Sequence, residues 1–221
     1  MMAKTWQEII GPRTPPDEMS RDALRYLLPS VFLALAAFCL IVSIFQPYWR
    51  MKLLAPQYPG GLEVQVYVNQ MTGDVQEIDG LNHYIGMRPL GEAAQLERSL
   101  SIYAISVLSL LIVAAIWVHT KYAALLALPA LLYPAIFLAD MYFWMRNFGL
   151  NLDPTAALSG AIDPFVPPIL GEGIVGQFRT VANVDSGFYL ALLSSFLILV
   201  GLYFHRRAYK PLVEEQEENG E

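Results

Sequence analysis

An all-α membrane protein is the fold class this sequence predicts: four transmembrane helices carrying a small, partly β-structured extracytoplasmic cap. Three observations predict it. The 221-residue chain is 55% hydrophobic and only 15% charged, whereas a soluble domain is nearer a quarter charged. Its apolar residues are gathered into four runs, each long enough to cross roughly 30 Å of hydrocarbon. Two long connections, 46–99 and 146–186, hold most of the polar and turn-forming residues.

The spans fall at 27–45, 100–118, 122–145 and 187–204. Lipid cannot satisfy backbone polar groups, so each must be a helix. The first is long for a signal peptide, and "PYWRMK" follows it in place of a small-residue cleavage site, so it is expected to remain as an anchor. In the third span Pro129 and Pro134 each remove a backbone bond and predict kinks. Ala123, Ala127 and Ala130 share one face there and allow close helix packing.

Orientation follows the cations. The segment 1–26 carries Lys4, Arg13, Arg21 and Arg25, the "HTK" hinge carries Lys121, and the segment 205–221 carries Arg206, Arg207 and Lys210. That places eight of the fourteen Lys and Arg residues on the smaller share of non-membrane chain, and predicts both termini in the cytoplasm. Arg50 and Lys52, just past the first span, run against the bias. The acidic end, "VEEQEENGE", is too polar to bury anything and is expected to be disordered. Nothing in the charge pattern suggests nucleic acid.

The connections should hold most of the specificity, because long segments of this kind are often functional. In 46–99, "LEVQVYV" alternates as a half-buried strand over 62–68, "NQMTGD" turns, and "VQEI" can return, giving a β-hairpin. "IDGLNHYIGM" then reads as a turn-rich stretch through Gly80, Asn82 and Gly86, before a polar helix near 91–99. The segment 146–186 is restricted by Pro154, Pro164, Pro167 and Pro168 and bent by Gly171, Gly173 and Gly176. It is nonetheless too apolar for a free linker. It should pack on the first segment or lie on the membrane surface.

His83 and Met87 are the leading chemical candidates. Imidazole with thioether suits copper, and thioethers favour Cu(I). The plainer alternative is a histidine that hydrogen-bonds a turn and a methionine that packs beneath the hairpin. Met141 and Met145 lie one turn apart on one face of the third span and extend the soft-donor set, unless they are ordinary packing material. Asp140 lies roughly 9 Å inside that helix. Carboxylates at such depth face a protein interior, a partner or water. It is either paired with Arg98, Arg50 or Arg146, or a cation or proton site. Cys39 is the single cysteine, so no internal disulfide or c-type haem is expected. The spans offer no facing histidines for b-type haem, so no haem is predicted. No nucleotide-binding or catalytic signature is present, and no small-molecule substrate is identified.

Two stretches, "GLNHYIGMRPL" and "ADMYFWMRNFGLNLDPTAALSGAIDPFVPPILGEGIVGQF", resemble the small four-span membrane proteins encoded with bacterial nitrous-oxide reductase and related copper proteins, the NosB type. The resemblance covers about half the chain. It implies a location in the inner membrane, a periplasmic copper enzyme as client, and a part in its maturation or electron supply. It carries no catalytic residues with it. The expectation is thus a non-enzymatic accessory protein with membrane or periplasmic protein partners, binding Cu(I) transiently through His83, Met87, Met141 and Met145. A structural subunit of a respiratory or transport complex is the alternative. A transporter with Asp140 as its coupling residue is the third.

Overall fold

The computed structural model describes residues 9–175 and 178–218. Lys4, Gly176 and the last three residues of the acidic end lie outside the described residues. In chain order the elements are α1 (Pro16–Arg21), α2 (Ala23–Ser43), β1 (Trp49–Ala55), β2 (Tyr58–Val66), β3 (Met71–Gly73), α3 (Val75–Ile85), a 3₁₀ turn (Leu90–Glu92), α4 (Gln95–Ala115), α5 (Tyr122–Leu150), β4 (Gly171–Val175), β5 (Phe178–Val184) and α6 (Ser186–Glu218). Helices α2, α4, α5 and α6 are, among the described residues, long and apolar enough to cross a membrane. Pro129 and Pro134 stay inside the continuous helix α5.

The chain divides into two compact units. The first takes the residues up to Val42, Ala104–Tyr133, and everything from Leu190 on. Among its described residues it holds helices and turns but no strand, and it reads inside out. The residues with almost no exposure include small ones, such as Ala36, Ala115, Ala127, Ala191 and Ser194, while Phe38, Leu110, Leu125 and Phe196 are more than 60% exposed. Small residues let helix backbones approach closely where lipid gives no hydrophobic drive to associate. Ala123, Ala127 and Ala130 are buried as the sequence predicts. Serines add polar ties: Ser194 donates to the Ala36 carbonyl at 2.8 Å and Ser195 to the Leu131 carbonyl at 3.1 Å.

Helix α6 corrects the expected disorder of the acidic end, since it continues unbroken to Glu218. His205, Ala208, Tyr209 and Leu212 recur at helical spacing and are all buried, with Tyr26 in the same cluster. That buried stripe anchors the helix just before the acidic end, and the Lys210 and Glu214 ion pair, one turn apart at 3.2 Å, ties the two together. The residues before α1 are strapped to the α4–α5 turn: the His119 and Thr120 side chains bond the carbonyls of Pro12 and Ile9 at 2.7 and 2.6 Å.

The second unit takes Ser43–Tyr103 and Pro134–Tyr189. Here the expected partly β cap is present, and it is larger than a lone hairpin. Five antiparallel strands form one sheet in the order β3-β2-β1-β5-β4. Strand β1 is central, with Met51 opposite Val64 of β2 on one side and Ala182 of β5 on the other. The sheet therefore draws on both long connections, and the second packs on the first. "VQEI" does not return as a strand; Met71–Gly73 does so, and Val75 opens helix α3. Trp49, Met51, Leu53, Leu62, Val64, Ile78 and Ala182 form the core, with Phe137, Met141 and Met145 of α5 packed against it. The second connection is fastened further by Trp49 Nε1 donating to the Ile169 carbonyl at 2.6 Å and by Arg50 donating to Asp185 at 2.6 Å.

Candidate functional site

The stretch expected to be turn-rich is instead an amphipathic helix, because Ile78, Asn82 and Ile85 recur at helical spacing and are buried together. His83, next to Asn82, points off that buried face and is exposed. Gly86 then stops the helix in the left-handed region, at φ 80°. The Met87 amide turns back to the Asn82 carbonyl at 2.9 Å, the bonding that closes a helix with a glycine. The four-residue spacing of His83 and Met87 therefore does not put them on one face. The chain reverses between them.

Gly86 is needed for a second reason. A Cβ there would lie 2.6 Å from the Asp153 carbonyl oxygen, because the Asp153 amide bonds the Gly86 carbonyl at 2.8 Å and the Leu158 amide bonds that of Tyr84 at 2.9 Å. The "NLDP" segment is thereby seated on the end of α3. Asp153 itself caps the following turn. Hydrogen bonds from Thr155 hold its carboxyl below the usual aspartate range, with a smaller contribution from the nearby His83.

Met87 lines a cavity of about 70 Å³ within this unit. Met51 of β1 and Met145 of α5 line it as well, with Leu53, Phe148 and Phe178 among the apolar walls. The polar exception on α3 is Asn82, which is only 8% exposed. Its Nδ2 has no hydrogen-bond partner among the described residues. A volume of this size admits one or two waters or a single ion. Arg88 fixes the register of the two methionine-bearing segments. Its guanidinium bonds the Asn147 side chain and stands 4.5 Å from the centre of the Phe148 ring.

The sequence candidates separate accordingly. Met87 and Met145 converge on the cavity. Met141 packs against the sheet core and is not among the residues that line the cavity. His83 lies at the surface beside Tyr84, ring centres 6.2 Å apart. Met51 was missed, although "WRMKLLA" carried a signal: Arg50 and Lys52 alternate with Trp49, Met51 and Leu53, the pattern of a strand with one buried face. Of the arginines expected beside Asp140, Arg50 is held by Asp185 and Arg98 bonds the Gly91 carbonyl. Among the described residues, no group of three or more His, Cys, Asp or Glu side chains is placed to hold a metal.

The class these features define is that of a chain with four helices fit to cross a membrane and a small antiparallel sheet, the make-up of a multi-pass membrane protein. No protein-family pattern matches it, and no curated protein matches it.

Proposed function

We propose that this is an accessory protein of the bacterial inner membrane, with both termini cytoplasmic, whose sheet unit binds Cu(I) transiently on the periplasmic side. Its client on this reading is a periplasmic copper enzyme of the nitrous-oxide-reductase kind, and the chain itself catalyses nothing. One observation carries the proposal: Met51, Met87 and Met145 line one cavity that is otherwise nearly apolar. Thioethers are neutral, soft donors that suit Cu(I) and discriminate against hard divalent ions. A dry wall suits a monovalent ion that must be kept from water and oxidant. The cation bias toward the termini and the "HTK" hinge supports the orientation. The donor set differs from the one drawn from sequence, since His83 and Met141 are outside it.

The test is Cu(I) titration of the purified protein in detergent, under reducing conditions, against a chromophoric Cu(I) chelator. Replacing Met51, Met87 and Met145 together by leucine conserves volume, so the fold is retained. That variant should lose about tenfold or more in affinity, equivalent to about 1.4 kcal/mol. His83→Ala should bind as wild type does. Equal affinity in the triple variant and wild type would remove the proposal.

A second reading is favoured by the sheet's edge. Strand β4 is an outer strand, and its Ile174 is 78% exposed. Open edges pair readily with another chain. A non-catalytic structural subunit would use it to dock a membrane or periplasmic protein. Stable stoichiometric co-purification from native membranes without copper would favour that reading over the first.

A further inference from the structure

The helical unit contains a second pocket, separate from the methionine cavity, and we infer that it binds the headgroup of an anionic phospholipid. The pocket measures about 670 Å³ and is bounded by the α4–α5 turn and the outer half of α6. Two of the chain's three histidines meet there. The His119 ring stacks on Tyr209 at 3.9 Å and 4°, and the His205 ring lies 4.8 Å from the same tyrosine.

The rim supplies the opposite charge. Lys121, Arg206 and Lys210 border the pocket. Lys210 shares its charge with Glu214, while Lys121 lies 5.9 Å from the Tyr122 ring centre. Basic pockets at the ends of membrane helices take anionic headgroups in this way. An amphiphile is favoured over a free phosphate by the course of α6. Leu199, Tyr203, Arg206 and Lys210 follow one another at helical spacing along the pocket, so one stripe passes from apolar to cationic. Leu199 and Tyr203 are 54% and 64% exposed, which leaves an outward apolar track for acyl chains.

Native mass spectrometry of the full chain in mild detergent tests this, with phosphatidylglycerol, phosphatidylcholine and free glycerol phosphate as separate arms. Phosphatidylglycerol should be retained best, and phosphatidylcholine and free glycerol phosphate least. Arg206→Gln should weaken phosphatidylglycerol retention about fivefold, the effect of about 1 kcal/mol per cation. Equal retention of phosphatidylglycerol and phosphatidylcholine by the wild type would overturn the inference without any variant. Equal binding of free glycerol phosphate would overturn its lipid source.

Discussion

The Arg88 guanidinium stands 4.5 Å from the centre of the Phe148 ring while bonding the Asn147 side chain. Its chain neighbour Met87 and the neighbouring Met145 thereby reach the same cavity. Cation–π contacts contribute about 0.5–2 kcal/mol, and arginine's planar head makes it hard to replace with lysine. Arg88→Lys should lower the thermal midpoint in detergent modestly and Arg88→Ala further, by about 1–2 kcal/mol. If Cu(I) is bound as proposed, both should also weaken it. An unchanged midpoint in Arg88→Ala would show that the latch is not a source of stability.

Gly86→Ala is expected to be costly. It forces a Cβ into left-handed backbone, 2.6 Å from the Asp153 carbonyl oxygen. Strain of this kind costs about 1–3 kcal/mol. Limited proteolysis should show new cleavage in 151–161 and at the end of α3, with the β1–β2 pair still protected. Gly80→Ala is the control, since a Cβ there meets nothing within 4 Å.

Trp49→Phe keeps the ring in the core but removes the Nε1 bond to the Ile169 carbonyl. A lost hydrogen bond that leaves its acceptor part-buried costs about 1–3 kcal/mol. Hydrogen exchange should accelerate first around Ile169, ahead of the β1–β2 ladder. Uniform acceleration throughout the sheet would contradict a local fastening role.

The Asp153 turn should respond to acid. Its carboxyl is held below the usual aspartate range by the bonds from Thr155, so the folded form binds its proton less readily than the unfolded form. The stabilisation is complete above the unfolded value and is lost as pH falls through the lower, folded one. The protection of the Thr155 amide, taken against its intrinsic exchange rate at each pH, should therefore fall below about pH 4. Asp153→Asn should abolish that pH dependence. The group is fully exposed, so the effect is local to the turn.

Ser194→Ala tests the helical unit. Its hydroxyl bonds the Ala36 carbonyl at 2.8 Å and has no exposure. Such bonds between membrane helices contribute about 0.6 kcal/mol on average, so a small drop in midpoint is expected. Ser194→Leu should be far worse, because the site has no room for the larger side chain.

What was legible in the sequence was set by local pattern. The four apolar helices and the buried face of Ala123, Ala127 and Ala130 follow from run length and spacing alone. Strand β5 did not stand out, although Thr180 and Ala182 alternate inward. It follows a Pro/Gly-rich stretch and is completed by a partner far away in the chain. Helix α3 was hidden by Gly80 and Asn82, residues that suit turns, yet the burial of Ile78 and Ile85 against the sheet overrode that propensity. The acidic end was misjudged for the opposite reason. Its composition is that of a disordered tail, but its described residues continue the helix that His205, Ala208, Tyr209 and Leu212 anchor just before it. At the candidate site, residue type was readable and side-chain direction was not. Whether Met87 joins His83 or turns away depends on one left-handed glycine.

The central place of β1 bears on how the protein is made. Trp49 pairs with Val66 almost at once, but its other neighbour is Val184. At ribosomal speeds that partner arrives on the order of ten seconds later, after α4 and α5 have been synthesised. Until then the nascent three-stranded piece presents an unpaired margin along β1, of the kind that pairs with other chains unless it is covered.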